Sequence, residues 1–320
     1  MKLRRIATKA VAEVEVLAAH GWVPVAAALA RLPDLNGIDA ANSIALLALP
    51  PEAQARILEA ARDVAASSAG DERCGLPFEP RSFRDFMLYE THAIDAARGF
   101  VRRFMPAAAP IARAYEAVTG RTFPSLKPHK LWYRQPIYYF GNHLTFAADG
   151  DDIACPSYTQ ALDYELELGF VLAHPLRDAT PLEAERAIGG FVVLNDLSAR
   201  DVQLAEMASG FGPQKAKHFA SAMSATIVSA DEILPRWRAL KGRVALNGAV
   251  VAECSTQGAQ YSLGEVLAHA SRGEQLYAGE LFGSGTLPGG SGIESSFLLA
   301  RGDTISLVID GIGAVTNRIV

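Results

Sequence analysis

The 320-residue sequence has few cysteines, no long apolar run and no secretion signal of the usual form. Its three cysteines are far apart and form no CxxC pair, which argues against a disulfide framework or a zinc cluster and favours a reducing compartment. Charged residues among the first fifteen break what would be the apolar core of a signal peptide. The apolar stretch 16–32 is interrupted by His20, Pro24 and Arg31 and is too short to span a bilayer. We therefore expect a cytoplasmic protein with no membrane partner.

An excess of basic charge is also missing. Thirty Lys and Arg against thirty-five Asp and Glu give a formal net charge of −5. A mildly acidic chain carries no broad phosphate-binding field, so we expect no nucleic-acid partner. Half of the residues are apolar and a fifth are charged, a composition that is typical of globular proteins and excludes a disordered chain.

The length and the local composition predict two domains, a small N-terminal domain over residues 1–72 and a catalytic domain over residues 73–320. The first part is Ala-rich, with a predicted helix over Ala53–Ala66 followed by a loop at 67–71. Two prolines in Cys74–Pro80 indicate a connector. Beyond it, the periodicity predicts a helix from Phe83 to about Phe104, and short strands dominate from Leu131 onward. The predicted fold class is a β-rich α+β fold.

Local signals place several elements. Asn-Gly within Val244–Val251 and Asp-Gly within Ile305–Val320 predict two β-hairpins. Capping boxes that begin at Thr180 and Ser262 predict two helix starts. These signals fix element positions within the catalytic domain without indicating a function.

The segment Leu162–Leu172 is the most informative. Side chains alternate across a strand, so Asp163, Glu165 and Glu167 share one face. Two glutamates at i and i+2 lie roughly 7 Å apart and repel each other unless a cation or solvent intervenes. Hard oxygen ligands suit Mg²⁺, Mn²⁺ or Ca²⁺. The alternative is a solvated outer face of the strand.

A second acidic position is the last residue of the predicted strand 189–196. This residue, Asp196, lies at the junction between the strand and a helix, which the capping box Ser198-Ala-Arg-Asp201 predicts. Arg200 and Gln203 share one side of that helix. In the alternative interpretation, Asp196 is a helix cap and Arg200 forms a surface ion pair.

Three further segments are candidates for the site. Asp85 and His92 are seven residues apart, so a helix would place them on one side about 10 Å apart, with a polar helix stripe as the alternative. The loop 212–219 carries two lysines. The Gly-rich run 281–294 lacks the features of a phosphate loop or a dinucleotide site, and we interpret it as a tight turn that brings backbone N–H groups and Glu294 close to a site.

Together these segments resemble the fumarylacetoacetate hydrolase superfamily from about residue 80 to the C-terminus. Leu162-Asp-Tyr-Glu-Leu-Glu-Leu168 is similar to the metal-binding strand of that superfamily, and Asn195-Asp-Leu-Ser-Ala-Arg-Asp-Val-Gln203 to its N-D-x-S-A-R-D-x-Q motif. Gly212-Pro-Gln-Lys-Ala-Lys217 resembles its GP-x-x-G-K loop, with Ala216 where glycine is usual, and Gly283-Ser-Gly-Thr286 resembles its S-G-T turn. The resemblance implies a mixed β-sandwich or roll as the catalytic domain, and a homodimer.

The resemblance also implies the roles of the site residues. A divalent metal, Mg²⁺ or alternatively Mn²⁺ or Ca²⁺, would be held by Asp85, Glu165, Glu167 and Asp196. His92, oriented by Glu294, would be the general base, and Lys217 would reach the same centre. The substrate pocket would be lined by Tyr139, Arg200, Gln203 and Thr286.

The implied function is hydrolysis of a carbon–carbon bond in a small diketo or oxo acid, such as an acylpyruvate. The alternatives are a 2-oxo-acid decarboxylase or isomerase, a condensing enzyme, or a binding protein without catalysis. Three positions depart from the pattern of the fumarylacetoacetate enzymes: Met87 and Met207 replace tyrosines, and Val101 stands at the place of an arginine, next to Arg102 and Arg103. We therefore expect the chemistry of the superfamily with a different substrate.

Overall fold

The computed structural model describes residues 1–7, 12–67 and 73–320. The strands are β1 (Lys2–Ala7), β2 (Ala12–Ala18), β3 (Gly21–Pro24), β4 (Phe83–Phe86), β5 (Tyr138–Gly141), β6 (Phe146–Ala147), β7 (Asp152–Ile153), β8 (Leu162–Asp163), β9 (Glu165–Leu172), β10 (Ile188–Asn195), β11 (Ser198–Ala199), β12 (Ser221–Met223), β13 (Thr226–Ser229), β14 (Lys241–Leu246), β15 (Ala249–Ser255), β16 (Leu281–Ser291), β17 (Thr304–Ile309) and β18 (Gly313–Ile319). The α-helices are α1 (Val25–Leu29), α2 (Ser43–Leu47), α3 (Pro51–Ala61), α4 (Glu90–Phe104), α5 (Ala109–Thr119), α6 (Pro181–Arg186), α7 (Arg200–Ala208), α8 (Ala230–Ile233), α9 (Leu263–Ser271) and α10 (Gly292–Ser295). Short 3₁₀ turns cover Pro33–Leu35, Pro124–Leu126, His143–Thr145 and Leu234–Ala239.

Strands dominate the fold, in agreement with the predicted β-rich α+β class. Within the described ranges, the large sheet runs in the order β3-β2-β1-β13-β10-β9-β16-β4-β5, with β12 paired to β10 and β6 paired to β12. A second sheet runs β15-β14-β17-β18-β7. Apolar side chains of both sheets, such as Leu166, Val244 and Leu307, form one buried cluster between them. The strands β9 and β10 are buried along their whole length, so the two glutamates of β9 are buried together with its apolar side chains.

The first strands continue the large sheet. β1 pairs antiparallel with β13, with Leu3 opposite Ile227. Leu3 and Ile227 belong to a second apolar cluster, which also contains Val171 and Val192 from the central strands. The division into residues 1–72 and 73–320 remains a proposal about domain organisation.

Several local predictions are confirmed. β14 and β15 form a hairpin whose turn residues Asn247 and Gly248 have φ of 51° and 83°, as a type I′ turn requires. β17 and β18 form the second hairpin. The capping boxes at Thr180 and Ser262 are both complete.

Other local predictions are wrong in part. Phe83–Phe86 is strand β4, because it pairs with β16 far along the chain, and only α4 is helical, so Asp85 and His92 do not share a helix. Ser198 lies in strand β11, where its hydroxyl donates to the Asp196 carbonyl, and it caps no helix.

Two boundaries also differ from the prediction. The helix predicted over 53–66 spans Pro51–Ala61 instead. The loop predicted at 67–71 lies, apart from its first residue, outside the described residues.

The Gly-rich run, which we interpreted as a tight turn, is the irregular strand β16 followed by α10, and β16 shifts register twice against β9. None of the helices in the described part of the chain has the length and apolar character that crossing a membrane requires.

Candidate active site

Three buried carboxylates meet at one point beside the middle of the large sheet. Asp85 comes from β4, Glu167 from β9 and Asp196 from the residue after β10. One oxygen atom of each lies within 4.8 Å of the others. All three side chains are at most 6% exposed, so solvent cannot screen their mutual repulsion.

A glycine on β16 makes this approach possible. Gly283 pairs with Asp85 on one side and with Gly169 of β9 on the other. A Cβ atom at Gly283 would lie 2.2 Å from Asp85 Oδ1 and 2.6 Å from Glu167 Oε2. The two carboxylates therefore occupy the space that a side chain at this position would need.

The electrostatics of the cluster fit a bound cation. Burial, followed by the neighbouring Asp196 carboxylate, raises the pKa of Asp85 to about 8. Burial and the negative charge of Asp85 raise the pKa of Glu167 as well. Glu167 Oε2 is buried and has no hydrogen-bond partner among the residues that the structure describes. Buried oxygen atoms in this state fit a hard divalent cation such as Mg²⁺, Mn²⁺ or Ca²⁺.

The fourth predicted ligand, Glu165, is close by but engaged by two cations. Its Oε1 accepts a hydrogen bond from Arg200 Nη2 at 2.8 Å, and its Oε2 accepts one from Lys217 Nζ. Burial alone would raise the pKa of Glu165, but Arg200 and Lys217 outweigh it and lower the pKa below its ordinary range. The structure thus brings Asp85, Glu167 and Asp196 together, and Glu165 is bound to Arg200 and Lys217 beside them.

Lys217 connects the two groups of acids. Its Nζ also donates to Asp196 Oδ2 at 2.5 Å. Burial acts to lower the pKa of Lys217, but Asp196 and Glu165 outweigh it, and the pKa lies above its ordinary value. Glu206 of α7 shapes the loop that carries this lysine, because its carboxylate accepts hydrogen bonds from the N–H groups of Gln214, Lys215 and Ala216.

Hydroxyl groups complete the surroundings of the carboxylates. The Tyr139 hydroxyl donates to Asp196 Oδ2 at 2.6 Å, and the Thr286 hydroxyl donates to Glu167 Oε1 at 3.3 Å. Ser221 donates to Asp196 Oδ1 at 3.2 Å. Tyr139 and Thr286 belong to the predicted set. Ser221 was not predicted, and the segment around it carries no motif that would indicate it.

His92 and Glu294 form a buried pair at the contact between α4 and α10. His92 Nδ1 lies 3.1 Å from Glu294 Oε2, a distance within hydrogen-bonding reach, although Nδ1 forms no hydrogen bond within the described ranges. Burial opposes ionisation of Glu294, but the contact with His92 and the hydrogen bond from Ser291 lower its pKa. A Cβ atom at Gly99 of α4 would lie 2.0 Å from the Ile293 carbonyl oxygen, so the absence of a side chain there lets the two helices come this close.

The Glu294 carboxylate is anchored from its own side. It accepts hydrogen bonds from the N–H groups of Gly289 and Ser291 and from the Ser291 hydroxyl. Ser291 stands opposite Glu165 in the β16–β9 register. The His92–Glu294 pair is thereby tied to the strand that carries the acids.

Arg200 and Gln203 lie at the same side of the centre. Arg200 Nε donates to Asp163 Oδ2 at 2.7 Å, and its Nη1 donates to Gln203 Oε1 at 2.9 Å. Arg200 is 2% exposed, so it is not a surface ion pair. Asp163, Glu165 and Glu167 are also buried, and the interpretation as a solvated strand face is wrong.

Comparison of the sequence and the fold with known proteins identifies the family of the chain. The sequence profile described as "Fumarylacetoacetate (FAA) hydrolase C-terminal" matches residues 111–320, about two thirds of the chain. The chain belongs to the fumarylacetoacetate hydrolase family. The matched range contains every candidate site residue except Asp85 and His92, which precede it.

Relatives of the family include several enzymes. The human mitochondrial oxaloacetate tautomerase FAHD1 is 26% identical over 185 residues, which are 58% of this chain and 81% of that protein. The structure of a fumarylacetoacetate hydrolase from psychrophilic Exiguobacterium antarcticum matches with a TM-score of 0.71 at 21% identity, over 100% of this chain and 99% of that one. A maleylpyruvate hydrolase from Sphingobium sp. SYK-6, in complex with manganese(II) and pyruvate, matches with a TM-score of 0.69 at 16% identity over the same shares. These solved structures show that the fold is that of the family.

Proposed function

We propose that this protein is a metal-dependent hydrolase that cleaves a carbon–carbon bond in an acylpyruvate or related 1,3-dicarbonyl acid. The observation that carries the proposal is the buried His92–Glu294 pair, tied through Ser291 to the strand that bears the acidic cluster. A cation site alone can stabilise an enolate, but a hydrolase also needs a group that activates water.

The acidic cluster supports the metal-dependent part of the proposal. Asp85, Glu167 and Asp196 would hold the cation, and Glu165 is near enough to join them by exchanging one of its cationic partners. A divalent cation bound there supplies a Lewis acid and a template for a chelating dicarbonyl group. The Mn²⁺ and pyruvate in the maleylpyruvate hydrolase structure are consistent with such a ligand for this chain.

The residues of the chain would divide the chemistry between them. His92, held by Glu294, accepts a proton from water, and the hydroxide adds to the distal carbonyl carbon of the substrate. Lys217 stabilises the oxyanion that forms. When the carbon–carbon bond breaks, its electron pair passes to the enolate of the 2-oxo acid fragment, and protonated His92 returns the proton. Tyr139, Arg200, Gln203 and Thr286 would orient the substrate.

The expected substrate differs from fumarylacetoacetate at its acidic tail. Met207 is largely exposed and Met87 is half-buried, and neither can donate the hydrogen bond of a phenol. The guanidinium of Arg102 donates to the Glu294 carbonyl at 2.8 Å and is therefore used in holding α10. These positions favour a shorter or less acidic acyl group.

The direct test is a panel of acylpyruvates and 1,3-diketones, followed by the loss of ultraviolet absorbance of the enol with and without Mg²⁺ or Mn²⁺. We expect metal-dependent turnover that falls by about 10²–10⁴ in His92→Ala, since a general base contributes a factor of that order. Metal binding measured by calorimetry should survive. His174→Ala, an exposed histidine beyond the far end of β9, is the matched control and should behave as wild type.

A second candidate function is tautomerisation or decarboxylation of a 2-oxo acid, favoured by the similarity to the oxaloacetate tautomerase. Such a reaction needs enolate stabilisation but no activated water. Turnover of oxaloacetate that persists in His92→Ala would select this reaction over hydrolysis. A purified protein that binds neither Mg²⁺ nor Mn²⁺ would exclude both and would favour a binding protein without catalysis.

A further inference from the structure

Asp163 is a fully buried carboxylate with four hydrogen-bond donors and no assigned role. Its Oδ1 accepts from the N–H groups of Tyr164 at 2.8 Å and Gly292 at 2.7 Å. Its Oδ2 accepts from Arg200 Nε at 2.7 Å and from the Ile293 N–H at 2.9 Å. The side chain is 0% exposed, so no water can replace a donor that is lost.

These four donors belong to two different parts of the site. Arg200 leads to the acids, because its Nη2 donates to Glu165 Oε1 at 2.8 Å. Gly292 and Ile293 form the first turn of α10, and the next residue is Glu294, the partner of His92. Asp163 is therefore linked to the acids through Arg200, which binds Glu165, and to the His92–Glu294 pair through the backbone of Gly292 and Ile293.

The packing at Gly292 shows how closely the carboxylate fits. A Cβ atom at Gly292 would lie 2.4 Å from Asp163 Oδ1, so the carboxylate rests directly against the backbone of α10. On the other side, β8 pairs with β11, which sets Ser198 opposite Asp163 two residues before Arg200. Asp163 is thus fixed by the backbone of three segments.

We propose that Asp163 is a positioning residue that sets the His92–Glu294 pair relative to the Glu165–Arg200 pair. This inference rests on the proposed function, since it assigns a purpose to the spacing between the general base and the acids. Asp163 touches neither a cation ligand of the three-carboxylate cluster nor His92, and it acts through Arg200 and α10.

Asp163→Asn tests the inference with almost no change in size. An amide offers one acceptor oxygen, so its NH₂ group must face either Arg200 and Ile293 or Tyr164 and Gly292, donor against donor. We expect the His92 imidazole ¹⁵N and ¹H NMR signals to shift from their wild-type positions, because α10 or Arg200 moves. Where turnover is measurable, kcat should fall about tenfold or more with KM changed less than about threefold, as a misplaced reacting group predicts. Mn²⁺ affinity should stay within about threefold, because the three clustered carboxylates keep their partners.

Asp201→Asn is the matched control. Asp201 lies next to Arg200 in α7 and accepts hydrogen bonds from Thr159, Gln160 and Val202, so the variant removes a carboxylate charge beside Arg200 without touching α10. Wild-type His92 signals in folded Asp163→Asn would overturn the inference, and so would an equal shift in Asp201→Asn.

A substrate-independent readout separates the two proposals. If wild-type protein turns over no dicarbonyl acid, the proposed function fails, while the NMR comparison still decides the role of Asp163. If Asp163→Asn does not fold, Gly292→Ala places a methyl group 2.4 Å from both Asp163 Oδ1 and the Phe297 carbonyl oxygen, and the same His92 signals apply. Unshifted signals in that variant would also overturn the inference.

Discussion

Replacing Gly283 with alanine tests whether the three-carboxylate cluster is a cation site. The new Cβ would lie 2.2 Å from Asp85 Oδ1 and 2.6 Å from Glu167 Oε2, whereas ordinary contact begins at 3.4 Å. The two carboxylates must therefore retreat by about 1 Å, several times the ±0.2 Å that a metal site tolerates. Gly283 does not have a positive φ, so alanine adds no backbone strain of that kind.

We expect the affinity of Gly283→Ala for Mn²⁺ to fall by about 100-fold or more, at or above the upper end of what loss of an outer-sphere partner costs. Metal at 100 times the wild-type Kd should stabilise the wild-type protein by about 2.7 kcal/mol and the variant by at most about 0.4 kcal/mol. Calorimetric titration gives the affinities, and thermal unfolding with and without Mn²⁺ gives the stabilisation.

Gly37→Ala is the matched control for this substitution, because a Cβ atom there meets nothing within 4 Å. It should bind Mn²⁺ as tightly as wild type. A Gly283→Ala protein with wild-type affinity and wild-type stabilisation by Mn²⁺ would refute the cation site. The substitution displaces Asp85 and Glu167, so Mn²⁺ bound with unchanged affinity would not be held by these two carboxylates.

Three more predictions concern single groups. Lys217→Ala should lower turnover by roughly 10²–10³, because loss of one oxyanion donor costs about 3–4 kcal/mol of barrier, and near-normal kcat would remove Lys217 from the mechanism. Burial raises the pKa of Asp85 to about 8 and raises that of Glu167 as well, so Asp85 is largely protonated at neutral pH without metal and must lose its proton to bind it. Metal affinity should therefore rise with pH, most steeply below about pH 8, and calorimetry in buffers of different ionisation enthalpy should detect proton release; a pH-independent affinity between pH 6 and 8 would contradict this assignment. Gly248→Ala should destabilise the protein by about 1–2 kcal/mol in urea unfolding, because its φ of +83° disfavours a side chain, and Mn²⁺ affinity should not change.

Of the local sequence patterns, strand periodicity predicts the largest part of the site. The alternation along 162–172 placed Asp163, Glu165 and Glu167 on one face, because side-chain direction in a strand depends only on neighbouring residues. The alternation does not decide whether that face meets solvent or a cation. This depends on Gly283 and Thr286 of β16, more than a hundred residues away, and no local pattern predicts that β16 pairs with β9.

The segment around Asp85 shows the opposite case. Its periodicity suggested one helix through His92, but pairing with β16 overrides the local preference and makes Phe83–Phe86 a strand. Family resemblance still named both residues, because a motif records spacing without requiring the correct secondary structure. The bond between Asp163 and α10 could not be predicted either, since it joins residues 129 and 130 positions apart.

The position of β16 in the chain has a consequence for biosynthesis. β4 carries Asp85 near the start of the sheet strands that form the site, but its parallel neighbour β16 is made about 200 residues later. At about 5–20 residues per second, roughly 10–40 s pass between the synthesis of Asp85 and that of Gly283. During this interval β4 has an unpaired edge, and the carboxylates already made lack the strand that seats them. If the three carboxylates bind a cation, as we propose, metal loading follows the synthesis of β16 and comes late in the life of the nascent chain.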